Sequence, residues 1–339
     1  MQTRKAIITG INGQDGALLA QHLLQSDYQI IAPVRENYNT TNLKALNIEN
    51  HGNIHFIALQ TLADINSIIS EYQPDEFYHL AAFSHVGESH DNPQKVFEVN
   101  TNWTLEILQS IKNSSPETRL FFASSCEIFN SNLFESANEY SIKKPTNPYG
   151  ISKLAAHNLV EYFRDRYDIY ASIAILFNHE SELRSEEFVS KKICREVARI
   201  VKHGGKPLML GNINAKKDWG YAPDFVKLFP ELLKLPKGDD FVFASGKLHS
   251  VKDMVEVAFT SLDYKISWKG QNEDTIAINS SGETVVAIDT RFYRPLDNRF
   301  LIGNAEKLTK TFNVNTFTPF EKWVKKMVQL EHQRPLLDS

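Results

Sequence analysis

Short apolar runs alternate with longer amphipathic stretches over the first half of the chain. Residues 5–9, 29–34, 55–59, 76–81, 120–124 and 171–177 are the runs, and each predicts a buried strand. Between most of them apolar positions recur at helical spacing, as over 63–72, 96–111 and 149–167. Leu18, Leu19, His22, Leu23 and Leu24 form the first such stretch, directly after a glycine-bearing turn. Strands alternating with helices predict βαβ units and a parallel sheet covered on both faces. Because crossovers in such sheets are right-handed, a doubly wound α/β fold is the economical topology.

The rhythm changes after Phe177. Phe188, Val189, Ile193, Val197, Ile200 and Val201 recur at helical spacing and predict a core-facing stripe. Lys191, Lys192, Arg195, Arg199 and Lys202 lie off that stripe and read as a solvated basic face. The polar, Ser/Asn-rich segment 271–282 reads as a surface loop. Residues 1–178, with 218–246 returning to them, are assigned to the sheet domain. Residues 179–217 and 247–339 are assigned to a smaller, mixed α/β lobe.

Composition sets limits on this picture. The 339 residues are 42% apolar and 23% charged, enough to bury a sizeable core. A formal net charge of −4 gives no electrostatic reason to expect nucleic acid or an anionic membrane as partner. A phosphorylated ligand would therefore need a local cluster of basic groups. Two cysteines, Cys126 and Cys194, provide neither a disulfide framework nor a zinc spacing, so no metal is expected and a reducing cytoplasm is the simplest setting. The N-terminal apolar run is too short for a signal peptide, and charges interrupt every later one before it could span a bilayer.

The candidate chemistry falls where the strands end. Thr9-Gly10-Ile11-Asn12-Gly13-Gln14-Asp15-Gly16 follows the first run and opens the first helix. Its glycines suit a tight turn, a close backbone approach to a pyrophosphate and close helix–strand packing, so the turn predicts dinucleotide binding. The second run ends Val34-Arg35-Glu36. Arg35 suits the 2′-phosphate of NADP; the alternative is a solvent-facing ion pair with Glu36. Tyr149 and Lys153 are four apart at the start of a predicted helix, on one face of it. The ammonium of Lys153 would favour the phenolate of Tyr149 and fit it to exchange a proton with a substrate hydroxyl. At the end of the fifth run, Ser124 and Ser125 offer hydroxyls to the oxygen being oxidised. Glu127, two residues beyond Ser125, is placed by strand alternation on the same side. Simple dehydrogenation needs no such carboxylate; removing a proton beside a ketone does. The other reading of Glu127 is a solvated loop residue, and of Cys126 a packed thiol.

Nine blocks then occur in one order: Ile8-Thr-Gly-Ile-Asn-Gly-Gln-Asp-Gly16, Ala82-Phe-Ser-His-Val86, Asn147-Pro-Tyr-Gly-Ile-Ser-Lys153, Ile175-Leu-Phe-Asn-His-Glu-Ser181, Phe188-Val-Ser-Lys-Lys192, Leu210-Gly-Asn212, Lys217-Asp-Trp-Gly220, Gly246-Lys-Leu-His-Ser250 and Tyr293-Arg-Pro295. Together they resemble the GDP-mannose 4,6-dehydratases, a family of extended short-chain dehydrogenases/reductases with a Rossmann domain. The resemblance implies a cycle on GDP-D-mannose that ends in a GDP-4-keto-6-deoxy sugar. It makes Ser125, Glu127, Tyr149 and Lys153 the catalytic set. It implies an NADP site formed by Gly10, Asn12, Gly13, Gln14, Asp15, Gly16, Arg35, Leu80, Ala81, Ala82, Tyr149 and Lys153. The implied sugar-nucleotide ligands are Ser84, Asn178, Val189, Lys192, Lys217 and Arg294. A homodimer or homotetramer is the implied assembly.

The chain departs from the family at six places. Glu182-Leu183-Arg184-Ser185 replaces Pro-Arg-Arg-Gly, Tyr221 stands where histidine is usual, and Lys217 where arginine is. Ser125 replaces threonine, Glu36 the second of two arginines, and Ala58 an aspartate. The competing expectations are a 4,6-dehydratase, epimerase or reductase acting on another GDP-sugar, or a degenerate nucleotide-binding subunit.

Overall fold

A computed structural model describes residues 3–84, 86–130, 136–291 and 300–334. Seven strands form one sheet in the order Asp240–Phe243, Ala171–Leu176, Arg119–Ser125, Glu76–His79, Lys5–Thr9, Gln29–Val34, Ile54–Ala58. Every neighbouring pair runs parallel. The chain winds outward from Lys5–Thr9 to one edge, returns beside it at Glu76–His79 and winds to the other. This reversal is the switch point at which doubly wound sheets bind their ligands. The strands are apolar because helices cover them: Ile7, Ile8, Phe77, Phe121 and Phe122 are fully buried. Helices Asp64–Tyr72, Trp103–Ser114 and Pro148–Tyr167 pack in a row, while Gln14–Leu24 packs with Ala222–Val226.

Two compact units share the chain. The first comprises residues 1–177, 222–244 and 303–315; the second 178–221, 245–302 and 316–339. Segment 303–315, expected in the smaller lobe, joins the sheet unit instead. There Leu308 is fully buried, Lys307 Nζ pairs with Asp239 at 2.7 Å and Phe312 packs on Phe241. In the second unit, helix Val189–His203 packs with Val251–Thr260 and Phe320–Gln333. Ile193, Val197, Met254, Phe259, Trp323 and Met327 make the core of that unit. Among the described residues, no helix is long and apolar enough to cross a membrane.

Three elements differ from the pattern-based expectation. The helix expected over 96–111 is two helices, Pro93–Phe97 and Trp103–Ser114, joined by a π-helical turn at Glu98–Asn102. The loop expected over 271–282 contains the strand Ile276–Asn279, which pairs on both sides and buries Ala277. Lys191 is not on a solvated face. Its Nζ is buried against Glu331 at 2.6 Å and donates to the Glu182 carbonyl at 2.8 Å. The partner lies far along the chain, where helical periodicity cannot reveal it.

Candidate active site

The glycine turn closes the first strand onto the first helix. Gly10 sits at φ +74°, and a Cβ there would lie 2.9 Å from the Ala81 amide nitrogen, so only glycine fits. Thr9 Oγ1 accepts from Ala81 N–H at 3.2 Å and lies 2.9 Å from His79 Nδ1, tying the turn to Leu80–Ala82. Burial, with the nearby Lys153 charge, holds His79 neutral by pulling it down to about 3. Gly13 is the cap of helix Gln14–Leu24 and makes no side-chain hydrogen bond there. The turn therefore fits a dinucleotide pyrophosphate: a glycine cap brings no side chain between a phosphate and the helix N-terminus. Asn42 Nδ2 donates to the Asn12 carbonyl at 3.1 Å, holding the turn from the segment after the second strand. Arg35 is exposed immediately beyond that strand.

Helix Pro148–Tyr167 carries the tyrosine–lysine pair. Its start is specified locally: Pro148 occupies the first turn, and Asn147 caps it by accepting from Gly150 N–H at 2.8 Å. Both Tyr149 and Lys153 are buried. Lys153 Nζ donates to the Ala123 carbonyl at 2.8 Å, and burial pulls its ammonium down to about 7. Asn100, buried within the π-helical turn, braces the same helix. Its Nδ2 donates to Ser152 Oγ at 3.0 Å while its Oδ1 accepts from Phe83 N–H at 2.8 Å. An extra residue in a helical turn aims a side chain off the regular stripe, and here it joins the helix of Tyr149 and Lys153 to the segment carrying Ser84.

Glu127 reaches the site by a different route from strand alternation. The fifth strand ends at Ser125, and Glu127 lies in a 3₁₀ turn, Cys126–Ile128, whose cap is Ser125 Oγ accepting Glu127 N–H at 3.2 Å. Asn147 Nδ2 then donates to the Glu127 carboxylate at 2.7 Å. Gly150 permits the close approach, since a Cβ on it would stand 2.2 Å from the Glu127 carbonyl oxygen. One asparagine thus caps the helix of Tyr149 and Lys153 and orients the Glu127 carboxylate. Sequence reading did not single out Asn147 or Asn100. An asparagine directly before a proline-started helix was the available signal for the first; nothing local marked the second.

The expected sugar-nucleotide ligands are distributed over both units. Ser84 is exposed in the first. In the second, Asn178 opens a strand paired to Trp219, Val189 starts helix Val189–His203, and Lys192 Nζ donates to the Met209 carbonyl at 2.8 Å. Lys217 is exposed on strand Lys216–Tyr221. Arg294, with its block 293–295, lies outside the described residues. Two of the departures in this unit contact each other. Tyr221 Oη donates to Glu182 at 3.0 Å, and Lys326 Nζ donates to Tyr221 Oη at 2.7 Å and pairs with Glu182 at 2.6 Å.

A glycine turn at the switch point, with a tyrosine–lysine helix against the fifth strand, is the plan of the extended short-chain dehydrogenases/reductases. Solved structures agree on that fold. A dTDP-glucose 4,6-dehydratase of Bacillus anthracis, in complex with NAD, superposes with TM-score 0.77 at 20% identity over 96% of either chain. An RMD protein of Pseudomonas aeruginosa, complexed with NADPH, gives 0.73 at 18% identity over 98% of this chain and 100% of that one. The family described as GDP-mannose 4,6 dehydratase matches residues 7–327, and this chain belongs to it. A GDP-mannose 4,6 dehydratase of Cricetulus griseus is 35% identical over 96% of this chain and 91% of its own length.

Proposed function

We propose that this protein is an NADP-dependent GDP-mannose 4,6-dehydratase that converts GDP-D-mannose to GDP-4-keto-6-deoxy-D-mannose. The observation that carries the reading is Glu127 held by Asn147 at the first turn of the helix bearing Tyr149 and Lys153. A reductase or 4-epimerase needs no base for C5, whereas elimination does.

When bound, nicotinamide would supply a hydride acceptor that then serves as donor, so no cofactor would be consumed. The glycine turn, Leu80–Ala82, Tyr149 and Lys153 would hold it, and Arg35 would suit a 2′-phosphate. Tyr149 takes the proton of the C4 hydroxyl, and Lys153 as its ammonium favours the phenolate that does so. Ser125 Oγ donates a hydrogen bond to the C4 oxygen. The C4 ketone acidifies the C5 hydrogen, which Glu127 removes and passes to the C6 hydroxyl as water departs. Reduction at C6 with uptake of a solvent proton at C5, balanced by release of the proton Tyr149 took, completes the 6-deoxy product. Asn147 keeps the carboxylate aimed. Ser84, Asn178, Val189, Lys192, Lys217 and Arg294 are the sugar-nucleotide ligands, and the cations among them supply the local charge a diphosphate requires in a net-acidic chain. The sheet unit is the NADP domain and the second unit the substrate domain. The working assembly is a homo-oligomer, a dimer or tetramer, in the cytoplasm.

The test is incubation of purified protein with GDP-D-mannose and catalytic NADP, read by mass spectrometry. Loss of one water without net NADPH formation is expected. Product that keeps its water while NADPH accumulates would replace the reading with a plain dehydrogenase.

A further inference from the structure

Two side chains of the catalytic helix, one turn apart, fasten it to the fifth strand. Lys153 holds the Ala123 carbonyl, and His157 places Nδ1 3.1 Å from Ser124 Oγ. Ser124 immediately precedes the Ser125 that caps the Glu127 turn. The His157 ring is completely buried, and its Nε2 lies 3.3 Å from a Glu161 oxygen and 3.3 Å from an Asp240 oxygen. That nitrogen lies between the two carboxylates without forming a well-directed bond to either.

Every element packed around the ring contributes a group. Asp240 comes from the edge strand, Glu161 from the ring's own helix and Ser124 from the catalytic strand. Arg164 pairs with Asp240 at 2.8 Å, Lys143 with Glu161 at 3.5 Å, and Lys307 Nζ donates to the Asp240 carbonyl at 2.8 Å. Three side chains of metal-binding type within 4.8 Å of one another raise a divalent cation as occupant. Arg164 and Lys143 already answer the two carboxylates, and a divalent ion would have to displace them. A proton on the ring needs no displacement, and it turns Nε2–H toward the two carboxylates while Nδ1–H donates to Ser124 Oγ.

Resting on the dehydratase reading above, we propose that His157 is a positioning residue. As an imidazolium between Asp240 and Glu161, it fixes Ser124, and through it the Ser125–Glu127 turn, against the helix carrying Tyr149 and Lys153. Burial opposes the charged ring, but the close carboxylates of Asp240 and Glu161 outweigh it and raise His157 above its ordinary value. Asp240 is shifted in the complementary direction: burial works against its charge, and His157 with Arg164 more than reverses that. A raised histidine contributes its stabilisation fully below the unfolded value of about 6.5, and loses it as pH climbs through the folded value. Activity that depends on the imidazolium should decline in the same direction.

The test uses the whole chain labelled with ¹⁵N-histidine, the His157 signal being assigned by its loss in His157→Asn. At pH 7.5 the ring is expected to be doubly protonated in wild type and neutral in Asp240→Asn. A neutral wild-type ring would overturn the proposal. For GDP-D-mannose turnover, Asp240→Asn should lower kcat about 10-fold at pH 8 and less at pH 6, with KM little changed. The same deficit at both pH values would reduce His157 to a structural role and overturn it too. Hydrogen exchange at residues 124–127 should quicken in both variants, and unchanged exchange would also defeat the idea. That readout needs no turnover, so failure of the dehydratase reading and failure of this one remain distinguishable.

Discussion

The carboxyl end of the fifth strand in the sheet unit and the segment after Glu180 in the second unit are built on opposite terms. In the first, Ser125, Glu127, Tyr149 and Lys153 follow the family pattern apart from a serine for a threonine; Ser125 Oγ meets Glu127 N–H, Asn147 meets the Glu127 carboxylate and Lys153 meets the Ala123 carbonyl. In the second, the pattern is lost at Glu182 and Tyr221, yet the two new side chains bond to each other and share Lys326. Each of the two also meets Lys326, so the three polar groups satisfy one another. On the proposed mechanism the first end is the one that meets a transition state. The other segment has one internal arrangement in exchange for another, so its residues are read as a group.

Breaking the first region should have the largest effect. Tyr149→Phe and Glu127→Gln should each cut kcat by about 10³-fold or more. Glu127→Gln should further abolish solvent deuterium incorporation at C5, seen by mass spectrometry, while leaving partial oxidation at C4. Full turnover in either variant would erase the contrast. Lys153→Met should lose most activity yet melt higher than wild type. A lysine brought from its ordinary 10.5 to about 7 by burial represents on the order of 5 kcal/mol of destabilisation at pH 6. That penalty is present in full below pH 7 and shrinks as pH rises toward the unfolded value. The gap in thermal midpoint should therefore be wider at pH 6 than at pH 9, and a gap widening with pH would contradict the burial.

In the second region the effects should be on stability first. Glu331→Gln removes the carboxylate facing buried Lys191 and should cost about 3 kcal/mol in denaturant unfolding, with kcat unchanged. Tyr221→Phe is the mildest: the Lys326–Glu182 pair survives, so about 1 kcal/mol of stability and less than about a threefold change in KM are expected. A tenfold rise in KM would show that the replaced residues touch substrate after all.

Features set by short chain separations were legible in the sequence. The glycine turn and the Tyr149–Lys153 spacing are local, and they stand where the pattern put them. Glu127 was picked for its chemistry, but its placement follows from a 3₁₀ turn that alternation does not foresee. Lys191 was misread because its partner is 140 positions away, and strand Ile276–Asn279 because its four residues sit in a polar segment. The seventh strand, Asp240–Phe243, is likewise too short to announce itself. Asn147 was passed over because its two roles arise only when the turn before the helix is folded.

The interleaving of the two units constrains the order in which a ribosome can deliver a finished protein. The edge strand Asp240–Phe243 leaves the exit tunnel long after the rest of its sheet, and the helix Glu306–Phe312 that packs on it later still. Until that helix is made, Phe241 lacks its covering ring, and Asp239 and Asp240 lack Lys307. The nascent sheet would thus carry an exposed parallel edge for most of its synthesis, a natural client surface for chaperones.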